Sequence, residues 1–201
     1  MNNATVPVQK DWANATPAGL VALAVACFCF FALLSGKVQG TATILIGCWL
    51  IGGFVVQLIV GLLDLNSGNM TGGNTFLYFS AFFMLVSGAE MIVKTLCATH
   101  NIAFDSTVDV WAWLCLTLVV ILWTPAFFKV PNVLTLIVLC LDFALPFVTL
   151  KDMGILDASL YVIPAYGFLV AGVLGIYLSG ATIINNTYGK TVLPINLTAQ
   201  K

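Results

Sequence analysis

The sequence predicts an all-α integral membrane protein whose chain crosses the bilayer six times. Apolar residues make up 61% of the 201 residues, and only 7% are charged. Soluble domains carry about 25% charged residues, so this chain has too few of them to cover a water-facing surface. Six apolar runs approach or exceed the roughly 20 residues that a helix needs to cross the hydrocarbon core. These runs are continuously apolar rather than alternating, which excludes a transmembrane β-barrel.

The six runs set the predicted domain organisation. They lie near residues 17–35, 42–63, 75–97, 110–128, 132–150 and 157–183. Residues 1–16 are then a polar N-terminal tail, 17–183 the transmembrane domain and 184–201 a C-terminal tail. An even number of spans places both termini on one face, together with Lys10, Lys129, Lys190 and Lys201; the opposite face carries Lys37, Lys94 and Lys151. This lysine distribution favours cytoplasmic termini in the cell membrane.

Three spans carry local signals. The first begins at Thr16, a predicted N-cap, and Pro17, a predicted first helical residue. In the third span, Glu90 and Lys94 are one turn apart, a spacing that suits an ion pair near a membrane surface. The sixth span has a stripe of small residues at steps of four, which predicts close helix packing: Gly167, Ala171, Gly175 and Ser179.

The second span carries a stripe of glycine and polar residues. Gly53, Gln57, Gly61, Asp64 and Gly68 are spaced so that they share one helix face. Glycine allows another backbone to come close, while an amide and a carboxyl are costly in lipid unless they face a partner or water. The stripe therefore predicts either a helix seam or the wall of a pore.

Asp142 stands near the middle of the fifth span, with Pro146 four residues later. Proline has no N–H, so the carbonyl of Asp142 loses its helical partner. A carboxyl at this depth has two interpretations. It is either a functional group of a pathway, as a proton acceptor or a polar contact for the solute, or a neutral group hydrogen-bonded to a neighbouring helix.

Composition argues against several other functions. The net charge of −1 gives no polybasic patch, so nucleic acid is not expected as a partner. No His-Glu-x-x-His, Gly-x-Ser-x-Gly or phosphate-binding loop is present, so no enzyme activity is expected. The six cysteines form no Cys-x-x-Cys pair and the single histidine lies in a polar linker, so no metal or cofactor is expected either.

Three motifs resemble those of the acetate uptake transporters, the succinate–acetate permease family. Asn14-Ala-Thr-Pro-Ala-Gly-Leu20 resembles the family's opening signature, and Tyr188-Gly-Lys-Thr-Val-Leu-Pro-Ile195 its C-terminal signature. The family's second-span motif is matched by Gly52, Gly53, Gln57, Gly61, Asp64 and a following Gly-Asn. The motifs occur in the family's order over nearly the whole chain.

The chain departs from this pattern in places. Ala15 replaces the first proline of the opening signature, and Asp64 replaces the usual glutamate. The loop after Asp64 is longer, so that Gly-Asn occurs twice, at 68–69 and 73–74. The following Thr75 and Phe76 favour the second copy. The family's aromatic motif in the third span is absent.

The resemblance implies a homo-hexamer of six-helix protomers in the lipid bilayer, each with a pathway for acetate and related short carboxylates such as succinate, linked to protons. Its pathway residues are expected to be Asn14, Thr16, Pro17, Gln57, Asp64, Asn69, Asn74, Thr75 and Phe76. An apolar constriction is expected near Leu23, Leu85 and Leu141. Asp142 would lie beside this ring, where it indicates either proton coupling or a different solute.

Two other functions remain open from the sequence. One is a six-span channel for a small neutral solute such as urea or a short amide. The other is a membrane sensor or scaffold that transports nothing. Whether a carboxylate pathway would be a channel or an alternating-access carrier is likewise open.

Overall fold

The computed structural model describes residues 12–196, and residues 1–11 and 197–201, including Lys10 and Lys201, lie outside that range. The described chain is helical and contains six helices long and apolar enough to cross a membrane: α1 (Thr16–Leu34), α2 (Gly40–Asn66), α3 (Met70–Thr99), α4 (Thr107–Lys129), α5 (Asn132–Asp152) and α6 (Val162–Tyr188). The predicted six-span fold is confirmed. The protein is a multi-pass membrane protein.

The observed helices are longer than predicted at several ends, most clearly in α3. This helix starts at Met70, five residues before the predicted start, because the side chain of Asn69 caps it by accepting a hydrogen bond from the Gly72 N–H at 3.0 Å. Its middle part, Phe79–Val86, is π-helical. A π-helix forms i→i+5 hydrogen bonds, so it changes which side chains face the core.

The helices pack in a fixed order around one core. The closest neighbours are α1 with α6 and α2, α5 with α6 and α4, and α2 with α3. Alternating direction places the starts of α1, α3 and α5 on the same face as the ends of α2, α4 and α6. We call this face, which includes Thr16, Asn66 and Lys129, the N-terminal face.

The small-residue stripe of α6 packs as predicted. A Cβ on Gly167 would lie 3.2 Å from the Cβ of Ala144 on α5, and one on Gly175 would lie 3.4 Å from the carbonyl oxygen of Leu20 on α1. Ser179 donates a hydrogen bond to the Pro17 carbonyl at 2.9 Å. The stripe therefore joins α6 to both of its neighbours.

The glycine stripe of α2 also lies on an inward face, with one exception. A Cβ on Gly53 would lie 3.0 Å from the sulfur of Met84, and one on Gly61 would lie 2.8 Å from the side chain of Leu77, both on α3. Gly68 does not belong to this face: α2 ends at Asn66, and Gly68 forms the following turn with a φ of 83°. The predicted seam is thus between α2 and α3.

The predicted ion pair is present on the opposite membrane face. The ammonium of Lys94 contacts the carboxylate of Glu90 one turn earlier. It also lies 2.6 Å from a carboxylate oxygen of Asp109 at the start of α4. This second contact, which the spacing along α3 could not reveal, joins α3 to α4 away from the N-terminal face.

Candidate functional site

A cavity of about 80 Å³ lies inside the helix bundle near the N-terminal face. Its polar lining consists of Thr16, Gln57, Asp64, Asn69, Thr71 and Thr75. Its apolar lining includes Leu20, Leu23, Phe76, Phe79, Phe127, Val130, Leu134, Ile137 and Leu141. This volume holds several water molecules but is well below that of a pocket for a drug-sized ligand. The cavity therefore suits a solute of a few non-hydrogen atoms.

Three polar side chains from three helix ends meet at the mouth of this cavity. The Thr16 hydroxyl donates to Asp64 Oδ1 at 3.3 Å, and the Asn69 amide donates to Asp64 Oδ2 at 2.9 Å. We call Thr16, Asp64 and Asn69 the polar collar. A carboxylate that receives two such bonds holds the start of α1, the end of α2 and the start of α3 together.

Outside the collar lies a larger, more polar vestibule of about 450 Å³. Thr16, Asp64 and Asn69 line both spaces, so the collar separates the vestibule from the cavity. Asn14 lines the vestibule, where its side chain accepts a hydrogen bond from the Thr16 N–H at 2.9 Å. The vestibule thus connects the cavity to the N-terminal face.

Gln57 places a buried amide in the cavity wall. Its side chain is only 1% exposed, and its Nε2 donates to the Gly19 carbonyl of α1 at 3.2 Å. Its Oε1 has no hydrogen-bond partner among the described residues. Buried polar atoms are nearly always paired in folded proteins, so this oxygen is available to a solute or water in the cavity.

Gly19 allows α3 to close against this amide. A Cβ at this position would lie 2.5 Å from the ring of Phe76, so any larger residue would displace the ring. Phe76 is buried and lines the cavity beside Gln57. The glycine of the opening signature therefore shapes the cavity wall without offering a side chain to it.

The inner end of the cavity is apolar. Leu23, Phe79 and Leu141 line it and are each less than a tenth exposed. Beyond them the core continues with Phe83 and Leu145 towards the opposite face. These three side chains close the cavity on the side away from the N-terminal face.

Leu85 does not take part in this constriction, contrary to the expectation. Its side chain is 38% exposed on the outside of the protomer. The π-helical segment rotates the third span so that Phe79, Phe83 and Met84 face inward and Leu85 faces outward. Phe79 supplies the contribution of α3 to the inner end of the cavity.

Asn74 is the second predicted residue that the structure places elsewhere. Because α3 begins at Met70, Asn74 is already helical, and its side chain donates to the Met70 carbonyl at 2.8 Å. It lines an outer crevice with Leu122 and Trp123. Of the two Gly-Asn copies, the structure thus brings Asn69 to the cavity and not Asn74, the copy that the following Thr75 and Phe76 favoured.

The opening signature differs in detail from its prediction. Thr16 is the first residue of α1 rather than its N-cap, which is Ala15, and its hydroxyl turns to Asp64 instead. Pro17 is buried in the first turn and does not line the cavity. Thr75 lines the cavity as expected, although its hydroxyl donates to the Thr71 carbonyl at 2.7 Å.

Asp142 lies on a different side of α5 from Leu141. One carboxyl oxygen accepts a hydrogen bond from the Thr124 hydroxyl of α4 at 2.6 Å. The other is buried and has no hydrogen-bond partner among the described residues. Asp142 therefore faces the seam between α4 and α5, behind the cavity wall.

Sequence reasoning missed the contribution of the turn between α4 and α5. Phe127 at the end of α4, Val130 in the turn and Leu134 at the start of α5 line the cavity. Its flanking prolines, Pro125 and Pro131, predict a turn but not which side chains point inward. Only the packing of α5 against the other helices reveals that this turn closes the cavity.

Comparison with known proteins supports the membrane fold. The chain resembles a solved structure described as that of the bacterial acetate channel SatP, with a TM-score of 0.78 and 19% sequence identity. The alignment covers 92% of this chain and 99% of that chain, so the two share the six-helix fold. A search of the curated proteins finds no match.

A family model decides the relationship. The model described as the GPR1/FUN34/yaaH family matches residues 1–198. This match confirms the family indicated by the three sequence signatures. Because it extends over nearly the whole chain, the chain belongs to the GPR1/FUN34/yaaH family.

Proposed function

We propose that this protein is a transporter or channel for acetate and related short carboxylates. The observation that carries the proposal is the cavity: a small, mainly apolar space with a polar collar at its mouth. The free amide oxygen of Gln57 in its wall can accept a hydrogen bond from the O–H of the neutral acid. The family membership and the structural likeness to a protein described as an acetate channel support the same substrate class. Neither the family nor the structural likeness points to an enzyme, and a transport role accounts for the site without any catalytic chemistry.

The lining matches the chemistry of a short carboxylate. Such a molecule has an apolar methyl or alkyl part and a carboxyl group, and the cavity offers apolar surface with a few hydroxyl and amide groups at one end. Weak contacts at several positions suit transport, because tight binding at one position would retain the solute. Urea has no apolar part, so its amide groups would lose hydrogen bonds at Leu23, Phe79 and Leu141.

The described residues along this path include no positively charged side chain, which supports proton linkage. The described residues that line the cavity and the vestibule include no lysine or histidine, and the chain has no arginine. A bare carboxylate at the apolar constriction would therefore lose its hydration without gaining an ion partner. Passage as the neutral acid, or together with a proton, lowers this cost. Asp142, which lies behind the cavity wall, is the group proposed to exchange that proton, through the seam between α4 and α5.

Purified protein in liposomes tests the function directly. We expect uptake of labelled acetate that increases as the external pH falls, and no protein-dependent uptake of labelled urea. Protein-free liposomes measure the acetic acid that crosses the lipid unaided. Urea uptake without acetate uptake would overturn the proposal in favour of a neutral-solute channel, and the absence of both fluxes would favour a sensor or scaffold.

Leu141→Ala is expected to widen the constriction. Leu141 is 3% exposed and lines the inner end of the cavity, so its truncation removes apolar atoms from the proposed constriction. Truncation of a buried leucine also costs about 2–5 kcal/mol of stability. We expect the ratio of butyrate to acetate uptake to rise. Leu139→Ala, on the 40% exposed outer side of the same helix, should leave the ratio unchanged, and an equal ratio in both variants would place the constriction elsewhere.

We further propose that the protein lies in the cell membrane as a homo-hexamer with cytoplasmic termini. The lysine distribution supports the orientation, and the family resemblance supports the hexamer. Mass measurement of the detergent-solubilised complex tests the assembly, and protease access to the C-terminal tail in sealed cells tests the orientation. A monomeric mass or digestion from outside would contradict the respective proposal.

A further inference from the structure

The C-terminal segment after α6 folds back onto the helix bundle. Gly189, with a φ of 61°, ends α6 in the left-handed conformation that glycine adopts without strain. Residues 191–196, which we call the C-terminal strap, then return along the N-terminal face. Asn185, in the last turn of α6, holds the start of the strap.

The side chain of Asn185 makes three hydrogen bonds to the strap backbone. Its Oδ1 accepts from the N–H groups of Val192 and Leu193 at 2.7 and 2.9 Å, and its Nδ2 donates to the Leu193 carbonyl at 2.7 Å. Two turns earlier on α6, the Tyr177 hydroxyl donates to the Pro194 carbonyl at 2.7 Å. One face of α6 thus fixes the path of the strap.

The far end of the strap reaches the start of α5. The first N–H groups of a helix have no partner within it, and the N-cap of α5, Pro131, offers no side-chain hydrogen bond. Here the Ile195 carbonyl accepts from the Val133 N–H at 3.4 Å, and the Asn196 side chain accepts from the Asn132 N–H at 3.3 Å. The strap therefore caps α5 from outside it, and Ile195 packs against the core.

The start of α5, which the strap caps, also forms part of the cavity wall. Val130 lies just before the capped residues and Leu134 just after them, and both line the cavity. The cavity wall thus includes the first turn of α5, whose Asn132 and Val133 N–H groups donate to the C-terminal strap. No residue of the strap itself lines the cavity.

From these contacts we propose that the C-terminal strap holds the Val130–Leu134 wall in place and thereby limits the size of carboxylate admitted, with Asn185 as the positioning residue. This selectivity role rests on the proposed transport function. Asn185 does not touch the solute; it acts through the strap and the start of α5. Release of the strap leaves the collar intact but lets the opposite wall move outward.

Asn185→Leu tests the proposal, because it removes all three bonds from Asn185 to the strap. In detergent, hydrogen exchange of the backbone amides at the start of α5 should accelerate. In liposomes, the ratio of butyrate to acetate uptake should rise by about fivefold, the lower end of the coupling found between separate parts of a protein. A general folding defect would lower both fluxes without changing their ratio.

Three further variants make the result decisive. Asn185→Asp keeps the acceptor for Val192 and Leu193 and should retain most of the original ratio. Tyr177→Phe removes one bond with little change in shape and should have a smaller effect of the same sign. Asn186→Ala alters the exposed neighbouring residue and should change neither measurement.

The outcomes separate this proposal from the proposed function. Unchanged amide exchange at α5 in Asn185→Leu, or an unchanged ratio while acetate uptake persists, would overturn the role of the strap. Absence of acetate uptake in the unmodified protein would instead overturn the transport function and with it the selectivity role. The exchange rates would then still decide whether the strap holds the start of α5.

Discussion

Replacing Gly47 with alanine is expected to lower the free energy of unfolding by about 2 kcal/mol or more, because the added methyl group has no space. A Cβ there would lie 2.5 Å from the carbonyl oxygen of Gly88 and 2.7 Å from Cγ1 of Ile92. The Gly88 oxygen belongs to the backbone of α3 and cannot turn aside as a flexible side chain would. The two helices must separate, which loosens the buried cluster that includes Ile46, Leu50 and Met84.

Gly52→Ala is the matched control on the same helix. A Cβ at Gly52 meets nothing within 4 Å, so the substitution adds only the helix propensity of alanine, about 1 kcal/mol in favour of the helix. Thermal unfolding in detergent should therefore give a clearly lower Tm for Gly47→Ala and an equal or slightly higher Tm for Gly52→Ala. Similar Tm values for the two variants would contradict a close crossing of α2 and α3.

These two glycines show how far the sequence could predict the fold. Hydropathy alone predicts all six helices, because each must satisfy its backbone hydrogen bonds within lipid. The steps of four along α2 and α6 also predict which faces pack closely. They could not distinguish Gly47 from Gly52, because that difference depends on where α3 crosses α2. Such crossings bring together residues that are far apart in the chain.

The candidate site was predictable where the family motifs supply its residues. Thr16, Gln57 and Asp64 were expected from the resemblance and line the cavity, and Gln57 and Asp64 also share the helix face that the spacing along α2 predicts. Asn74 and Leu85 lie away from the cavity for two local reasons. The cap at Asn69 starts α3 early, and the π-helical segment shifts the inward face. Neither feature has a hydropathy signal.

The groups around Asp142 determine whether its carboxyl can be both ionised and protonated in the same structure. The Thr124 hydroxyl has one proton and two acceptors within reach, the Val120 carbonyl at 2.9 Å and Asp142 Oδ2 at 2.6 Å. If the carboxyl is ionised, Thr124 donates to it. If the carboxyl carries a proton, it donates to Thr124, whose hydroxyl then donates to Val120. The same positions of the heavy atoms therefore accept either protonation state, as a site that exchanges protons requires.

Asp142→Asn should remove most of the pH dependence of acetate uptake. The amide can donate to Thr124 as the protonated carboxyl does, so the variant resembles the protonated state at every pH. If that state is the one that transports, uptake by the original protein falls as the pH rises, while the variant keeps its low-pH rate. What remains is the dependence due to protonation of acetate itself, which is common to both proteins.

A second aspartate supplies the control for this experiment. Asp157 lies in the loop before α6, where hydrogen bonds from the side chain and backbone N–H of Ser159 hold its pKa below the ordinary value. It therefore stays ionised over the pH range of a transport assay, and Asp157→Asn should leave the profile unchanged. Identical profiles for Asp142→Asn and the original protein would make Asp142 a structural residue between α4 and α5. Proton linkage would then have to reside in the acid itself, crossing the apolar constriction as the neutral molecule.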